Sequence, residues 1–427
     1  MIEAPVQPMK STWKHARLKD VAEKPQYGVT ASAAPNGPVK FLRITDITDH
    51  GVNWESVPYC NAPAHVINAC MLRSGDIVFA RIGATTGKSY LISEPPPAVF
   101  ASYLIRVRTG NDLDPEFLSH YFKSDGYWDQ VNANKHANLK KGVNGSILSE
   151  LEVPVPPLNE QRSIAHVLNT VQEAIAQQER LIRTTTELKQ ALMHRLFTEG
   201  LRGEKQKETE IGLVPESWEV VRLEEFCQRP DGLIQTGPFG SQLHSHEYAS
   251  EGIPVVNPTH LVGNRINHED VPHVPKEVAD RLGRHYVQLS DILFARRGEI
   301  GRHGLVGQAE IGWLCGTGCF LVRANHPRLN NEYLSYYCSS KPVVDWLNSY
   351  AAGAIMPNLS TSVIANLPVG LPPLDEQCQI VETFNAIDQK LDQADHKRRT
   401  LQDLFRSLLY ELMTGKVRVN KFEHEHD

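Results

Sequence analysis

The chain of 427 residues has little cysteine, no long apolar run and no excess of positive charge. Its seven cysteines are odd in number and scattered, so they form no disulfide framework and fit a reduced, cytoplasmic setting. No run of about 18 apolar residues exists, which removes a membrane-spanning helix. The opening segment MIEAPVQPMKSTWKHARL lacks the apolar core of a secretion signal. The formal net charge is −6. That excludes a basic coat protein, whose grip on nucleic acid rests on many Lys and Arg contacts to phosphate. Base reading by particular loops stays open, because net charge says nothing about distribution. Catalytic signatures are missing as well. There is no local Ser-His-Asp pattern, no Asn-Pro-Pro-aromatic or Asp-Pro-Pro-aromatic tetrad, and no nuclease carboxylate cluster followed by Lys.

What is present is a duplication. Trp13–Leu18 is echoed by Trp218–Leu223, and LRSGDIVFARIG (72–83) by VQLSDILFARRG (287–298). FASYLIRVR (100–108) matches CGTGCFLVR (315–323), and LDPEFLSHYFKS (113–124) matches LNNEYLSYYCSS (329–340). Last, LEVPVPPLNEQRSI (151–164) matches LPVGLPPLDEQCQI (367–380). The order is the same in both halves, and the offset grows from 205 to 216. A period this long is a repeated domain, not a solenoid.

Each copy reads as mixed α/β. Ile77–Ala80, Ile292–Ala295, Leu104–Val107 and Phe320–Val322 are short apolar runs expected as buried strands. Segments 115–131 and 331–347 carry large apolar residues at helical spacing, and each is expected as one helix. Pro154–Pro157 and Pro368–Pro373 close the globular parts, and Asn159 and Asp375 are expected as N-caps of long helices. Glu160 and Glu376 suit the positive end of the helix dipole.

Both helices carry an apolar seam. In the second, Ile380, Phe384, Ile387, Leu391, Ala394, Arg398, Leu401, Phe405, Leu408 and Leu412 step four and three, broken only by Arg398. The first shows Ile164, Leu168, Val171 and Ile175, then Leu181, Leu188 and Leu192, with an expected slip near Thr184–Thr186. At about 1.5 Å per residue each helix spans about 60 Å. A stripe that long must be covered. The simplest cover is the other copy's helix, with folding back on its own domain as the alternative.

Two apparent chemical motifs are weak. GATTGKS (83–89) has one residue too few between Gly and Gly-Lys-Ser for a phosphate loop, and the matching GEIGRHG (298–304) lacks the Lys-Ser. Cys315 and Cys319, with His303 and His326 nearby, have a conceivable metal spacing. The first copy has Phe100 and Leu104 at the cysteine positions, so they read as small apolar strand residues, and no metal site is expected.

Three segments suit base or phosphate contact. Arg81–Ser89 holds Arg81, Thr85, Thr86 and Lys88. Arg296–His303 holds Arg296, Arg297, Arg302 and His303. Asn132–Asn144 holds Asn134, Lys135, Lys140, Lys141 and Asn144 and no acid. Arg81 and Arg296 could instead serve the scaffold, near Asp76 and Asp291. Positions that differ between copies, such as Lys88 against His303, are the better candidates for specificity.

The repeated Pro-Pro-Leu-x-Glu-Gln segments at 156–164 and 372–380 resemble the specificity subunit of type I restriction–modification systems. So do the stretch 196–223 and GPFGSQL followed by GIPVVNPTHL (237–261). Cys378, where the first copy has Arg162, and Arg398 depart from the pattern without unsettling it. The resemblance implies an α+β architecture of two target-recognition domains joined by two long antiparallel coiled-coil helices. The expected boundaries are 1–157, 158–200, 201–373 and 374–427. It implies a non-catalytic subunit that reads a bipartite double-stranded DNA target with a fixed spacer. Two methyltransferase subunits and restriction/translocase subunits are the implied partners. S-adenosylmethionine, ATP and magnesium would belong to them, with no cofactor bound by this chain. The alternative is a coiled-coil scaffold for protein assembly that reads no DNA.

Overall fold

The computed structural model describes residues 13–48, 51–137, 142–351 and 359–419, with the side chains of 134–137 and 351 outside that description. The chain forms two compact units, Met1–Leu181 with Ala394–Asp427, and Ile182–Gln393. No described helix is long and apolar enough to cross a membrane.

The first unit is built on a four-stranded antiparallel sheet in the order Gln26–Tyr27, Leu104–Val107, Ile77–Ala80, Ser89–Leu91. The middle strands are wholly buried, as their unbroken apolar runs require. A second sheet orders Tyr59–Cys60, Val39–Leu42 and Ala98–Phe100, the last two parallel. Lys14–Arg17 pairs with Glu152–Val155. The second unit repeats all three sheets. Its four-stranded sheet runs Leu233–Thr236, Cys319–Arg323, Ile292–Ala295, His303–Leu305. Its three-stranded sheet runs His273–Val274, Ile253–Val256, Leu314–Cys315, and Glu219–Arg222 pairs with Pro368–Leu371.

Each expected single helix is two. Pro115–Tyr121 is followed by Asp125–Ala137, and Asn331–Cys338 by Lys341–Ala351. The break is local chemistry. Ser124 N–H and Oγ both donate to Tyr121 O, and Ser340 N–H donates to Tyr337 O, which closes the first helix tightly. Pro342 then falls in the first turn of the next helix, where its missing N–H costs nothing.

The long helices are Leu158–Glu199 and Leu374–Met413. They begin one residue earlier than Asn159 and Asp375. Pro157 O accepts the N–H of Glu160 and Gln161, and Pro373 O that of Gln377. In the first unit, Ile164, Ala165 and Leu168 share a core with Phe405, Leu408, Leu409, Leu412 and Met413. In the second, Met193, Leu196 and Phe197 share one with Ile380, Val381 and Phe384. The start of one helix meets the end of the other both times, so the helices pair antiparallel. The units accordingly divide inside the helices rather than at their ends.

The first helix's seam does not slip. It runs Ile164, Leu168, Val171, Ile175, Gln178, Ile182, Thr185, Lys189, Leu192, Leu196, in unbroken steps of four and three. Gln178 and Thr185 are buried, whereas Leu188 is 52% exposed and lies off the seam. Lys189 is accommodated by an ion pair with Asp388, 2.5 Å away. Arg398 is half-buried and bonds Asp395, with Nη2 2.7 Å from Oδ1. Polar residues thus hold the 3.5-residue period where apolar ones leave it.

Candidate nucleic-acid interface

In each unit the strand Ile77–Ala80 or Ile292–Ala295 runs out into a short loop before the next strand. The loops are built alike. Ala80 N–H donates to Lys88 O (2.9 Å) and Ala295 N–H to Arg302 O (2.8 Å). Gly83 and Gly87 (φ +87 and +91) match Gly298 and Gly301 (φ +84 and +86), turning the chain in the left-handed region. The spacing between the two glycines is one residue shorter in the second unit. That shift changes the correspondence read from sequence: Lys88 is matched by Arg302, and His303 by Ser89, since Phe79 pairs with Ser89 and Phe294 with His303.

Both loops lean on an aromatic ring and on a helix. The Arg81 guanidinium lies 5.0 Å from the Tyr27 ring centre, and that of Arg296 lies 5.8 Å from Phe239. Tyr127 OH donates to Gly87 O at 2.5 Å. A Cβ on Gly87 would meet Trp128 at 3.2 Å, and one on Gly301 would meet Val344 at 3.1 Å. Val143 N–H donates to Arg81 O (3.1 Å), and Leu359 N–H to Arg296 O (3.2 Å). The end of segment 132–144 is therefore brought against the Arg81 loop, and the equivalent segment of the second unit against the Arg296 loop.

Asp76 and Asp291 do not engage these arginines. Asp76 is buried and receives Arg108 Nε and Nη2 (2.7 and 3.0 Å), with Arg106 Nη1 at 3.7 Å. Asp291 receives Arg323 Nε and Nη2 (2.8 and 2.6 Å). The buried carboxylates hold the sheet, and Arg81 and Arg296 are left at its rim.

Other candidates fall out differently. Thr85 and Thr86 are half-buried, with Thr86 Oγ1 donating to Gly83 O at 2.6 Å, while Lys88 and Arg297 are exposed. Arg302 pairs with Glu299. Asn134 and Lys135 stand on the helix Asp125–Ala137, with side chains outside the description, and Lys140 and Lys141 lie outside the described residues. One candidate has a structural role and another is corrected. Asn144 is the N-cap of Gly145–Glu150, its Oδ1 accepting Ile147 N–H at 2.9 Å. His303 is buried, with Nδ1 2.9 Å from Gly301 O and Nε2 2.8 Å from Ser335 O, and burial holds its imidazole below the ordinary value. A ring enclosed in this way has no edge to offer a base.

Sequence reading missed the exposed rings. Tyr27, Tyr103 and Phe239 are 41%, 57% and 51% exposed. Tyr103 O accepts Arg81 N–H (3.0 Å), a place held by Gly318 opposite Arg296 (2.8 Å). Register against the arginines was the signal that could have found Tyr103.

The GATTGKS loop joins two strands, with no following helix to cradle phosphate. Among the described residues no group of three or more His, Cys, Asp or Glu gathers to hold a metal.

The profile of the type I restriction modification DNA specificity domain matches twice, over residues 10–184 and 215–402. The chain belongs to this family. It is a specificity subunit, a DNA target-recognition component. The family match leaves the scaffold alternative without support. Among relatives, the type I restriction enzyme MjaVIII specificity subunit of Methanocaldococcus jannaschii is 26% identical over 82% of this chain and 80% of its own. The EcoBI specificity subunit of Escherichia coli is 24% identical over 75% and 70%. The crystal structure of the type I restriction–modification S subunit from M. genitalium shares the fold. Its TM-score is 0.61 at 16% identity, covering 96% of this chain and 98% of that one.

Proposed function

We propose that each unit reads one half of a split DNA sequence through its Arg81 or Arg296 loop, and that the paired long helices fix the unread spacer. One observation carries this reading. The two loops share a frame, closed by equivalent backbone bonds and braced by equivalent helices, yet around a shared arginine (Arg81, Arg296) they present different side chains: Ile82 and Lys88 against Arg297 and Arg302. Two readers of different half-sites need that combination, a constant support with a variable contact set.

Adenine methylation and restriction then fall to partner subunits. Two methyltransferase subunits use S-adenosylmethionine, and restriction/translocase subunits use ATP and magnesium. A shared grip on phosphate by the methylating subunits accounts for a reader with net charge −6. The setting is cytoplasmic, in keeping with seven free thiols.

The test is reconstitution with the modification subunits, followed by mapping of methylated adenines. A single bipartite motif with one spacer length is expected. Methylation without sequence preference would overturn the reading.

A further inference from the structure

Arg81 is fixed at both ends of its backbone. Its N–H donates to Tyr103 O (3.0 Å), and its carbonyl accepts Val143 N–H (3.1 Å). Its guanidinium lies over the Tyr27 ring, 5.0 Å from the centre. Stacking of this kind uses the face of the guanidinium and leaves its N–H donors, which lie in its plane, to point outward.

Tyr27 is itself held on three sides. Its backbone pairs with Ile105 in the four-stranded sheet. Its hydroxyl accepts Gly145 N–H at 2.9 Å, at the first residue of the helix Gly145–Glu150. Before it, Gln26 Nε2 donates to Ala69 O at 3.1 Å, and after it comes Gly28, where a Cβ would fall 2.2 Å from Phe100 O. The strand end is thus bound closely to the sheet, and the hydroxyl sets the direction of the ring. A ring kept for the core alone would be covered; this one is 41% exposed.

The repeat holds its arginine another way. Thr236 stands where Tyr27 does: it pairs with Phe320, the match of Ile105, and Gln235 before it donates to Arg284 O at 2.6 Å. The Arg296 guanidinium lies 5.8 and 5.9 Å from the Phe239 and Phe320 ring centres instead. The same fold is therefore built without the tyrosine, and the shared scaffold does not explain it.

We propose that Tyr27 is the positioning residue of the first reader, holding the Arg81 guanidinium so that its fork meets the O6 and N7 acceptors of one guanine in that half-site. The inference rests on the Arg81 loop being a reader. Guanine is the base that offers two acceptors side by side in the major groove, which two parallel donors match. A free arginine side chain gives up rotamer freedom on binding; a stacked one has given up part of it already.

The experiment uses the complex assembled with the modification subunits and its mapped target duplex. Binding is measured on duplexes carrying 7-deazaguanine, which lacks N7, at one guanine at a time. One guanine of one half-site is expected to cost the unaltered chain about tenfold on this change and Arg81→Ala nothing. Tyr27→Thr, which installs the second unit's residue, should lower discrimination at that base pair about fivefold and change nothing further when combined with Arg81→Ala. Tyr27→Phe keeps the ring and loses only the hydroxyl, so discrimination should stay within about twofold of the unaltered chain. Thr236→Ala should leave this half-site untouched. If Arg81→Ala relaxes a half-site and Tyr27→Thr does not, the positioning role is overturned and the loop remains a reader. If Tyr27→Phe fails as Tyr27→Thr does, the ring is not what acts and the role is again overturned. If no guanine responds to loss of N7, the base assignment is overturned. If Arg81→Ala changes no base preference, the loop reading falls and this inference with it.

Discussion

Gln161 and Gln377 make the same three hydrogen bonds in the two units. Gln161 Oε1 accepts Asp114 N–H (2.7 Å), and its Nε2 donates to Asp112 O (2.9 Å) and Pro156 O (2.8 Å). Gln377 repeats this with Asn330 N–H (2.8 Å), Arg328 O (2.8 Å) and Pro372 O (2.9 Å). Both glutamines are fully buried. The Gln of the repeated Pro-Pro-Leu-x-Glu-Gln motif is therefore a joint, tying the first turn of each long helix to the loop before the helix Pro115–Tyr121 or Asn331–Cys338. Gln161→Ala orphans one backbone N–H and two carbonyls. A loss of about 3 kcal/mol is expected by chemical denaturation. Gln161→Glu keeps the acceptor and loses the donor, and should fall short of that loss only if Asp114 N–H dominates the joint.

The seam yields a second prediction. Lys189 Nζ lies 2.5 Å from Asp388 Oδ1, and Tyr336 OH lies 2.8 Å from Asp388 Oδ2. Lys189→Met strands a buried carboxylate and is expected to cost about 2 kcal/mol, with Lys189→Met/Asp388→Leu recovering most of it. Leu188→Ala, one residue away but off the seam, should change stability by less than about 0.5 kcal/mol. Leu168→Ala, fully buried, should cost about 3 kcal/mol. A large effect at Leu188 would contradict the register described here.

That comparison marks what the sequence could reveal. Strands such as Ile77–Ala80 were legible because both faces are buried, and the second helix because its seam is apolar at every step but Arg398. Leu188 misled because apolarity was used to follow the seam, and Gln178, Thr185 and Lys189 satisfy themselves by bonds that no spacing rule shows. At the candidate interface the two loops were legible from repetition. Their side-chain correspondence was not: a single-residue difference between glycine pairs moved His303 from a reader's place to a strand interior. Asn144 looked like a polar contact for the same reason that makes it a cap, a short side chain able to accept a backbone N–H.

Acid should weaken the fold in a defined window. Burial lowers His120 and His285 to about 4, below the ordinary 6.5. For a histidine whose folded pKa is depressed, the unfolded chain binds the proton first as pH falls. Its stabilising contribution is present above pH 6.5 and is lost between about 6.5 and 4. Near pH 5.5 each should cost about 1 kcal/mol relative to pH 7.5. Denaturation midpoints measured across that range should fall with pH. His120→Gln and His285→Gln should each flatten the slope; an unchanged slope in both would show that other groups govern the acid limb.

The sharpest prediction separates the two readers. Arg81 and Arg296 hold equivalent places in different units, so substituting either should disturb one half-site and spare the other. Arg81→Ala in the assembled complex is expected to reduce discrimination by about 1–3 kcal/mol at the bases of one half-site only. Arg296→Ala should do so at the other. Lys88→Ala, at an exposed position on the same loop that differs from Arg302 in the other unit, should relax base preference at the same half-site as Arg81→Ala. His303→Gln provides the contrast. It should lower stability, since it replaces a ring set between two buried carbonyls, and leave base preference unchanged. Adenine-methylation mapping with each variant reads the base preferences, and chemical denaturation reads the lower stability of His303→Gln. Relaxation of both half-sites by Arg81→Ala alone would mean that the loops act as a support for the whole complex and not as independent readers.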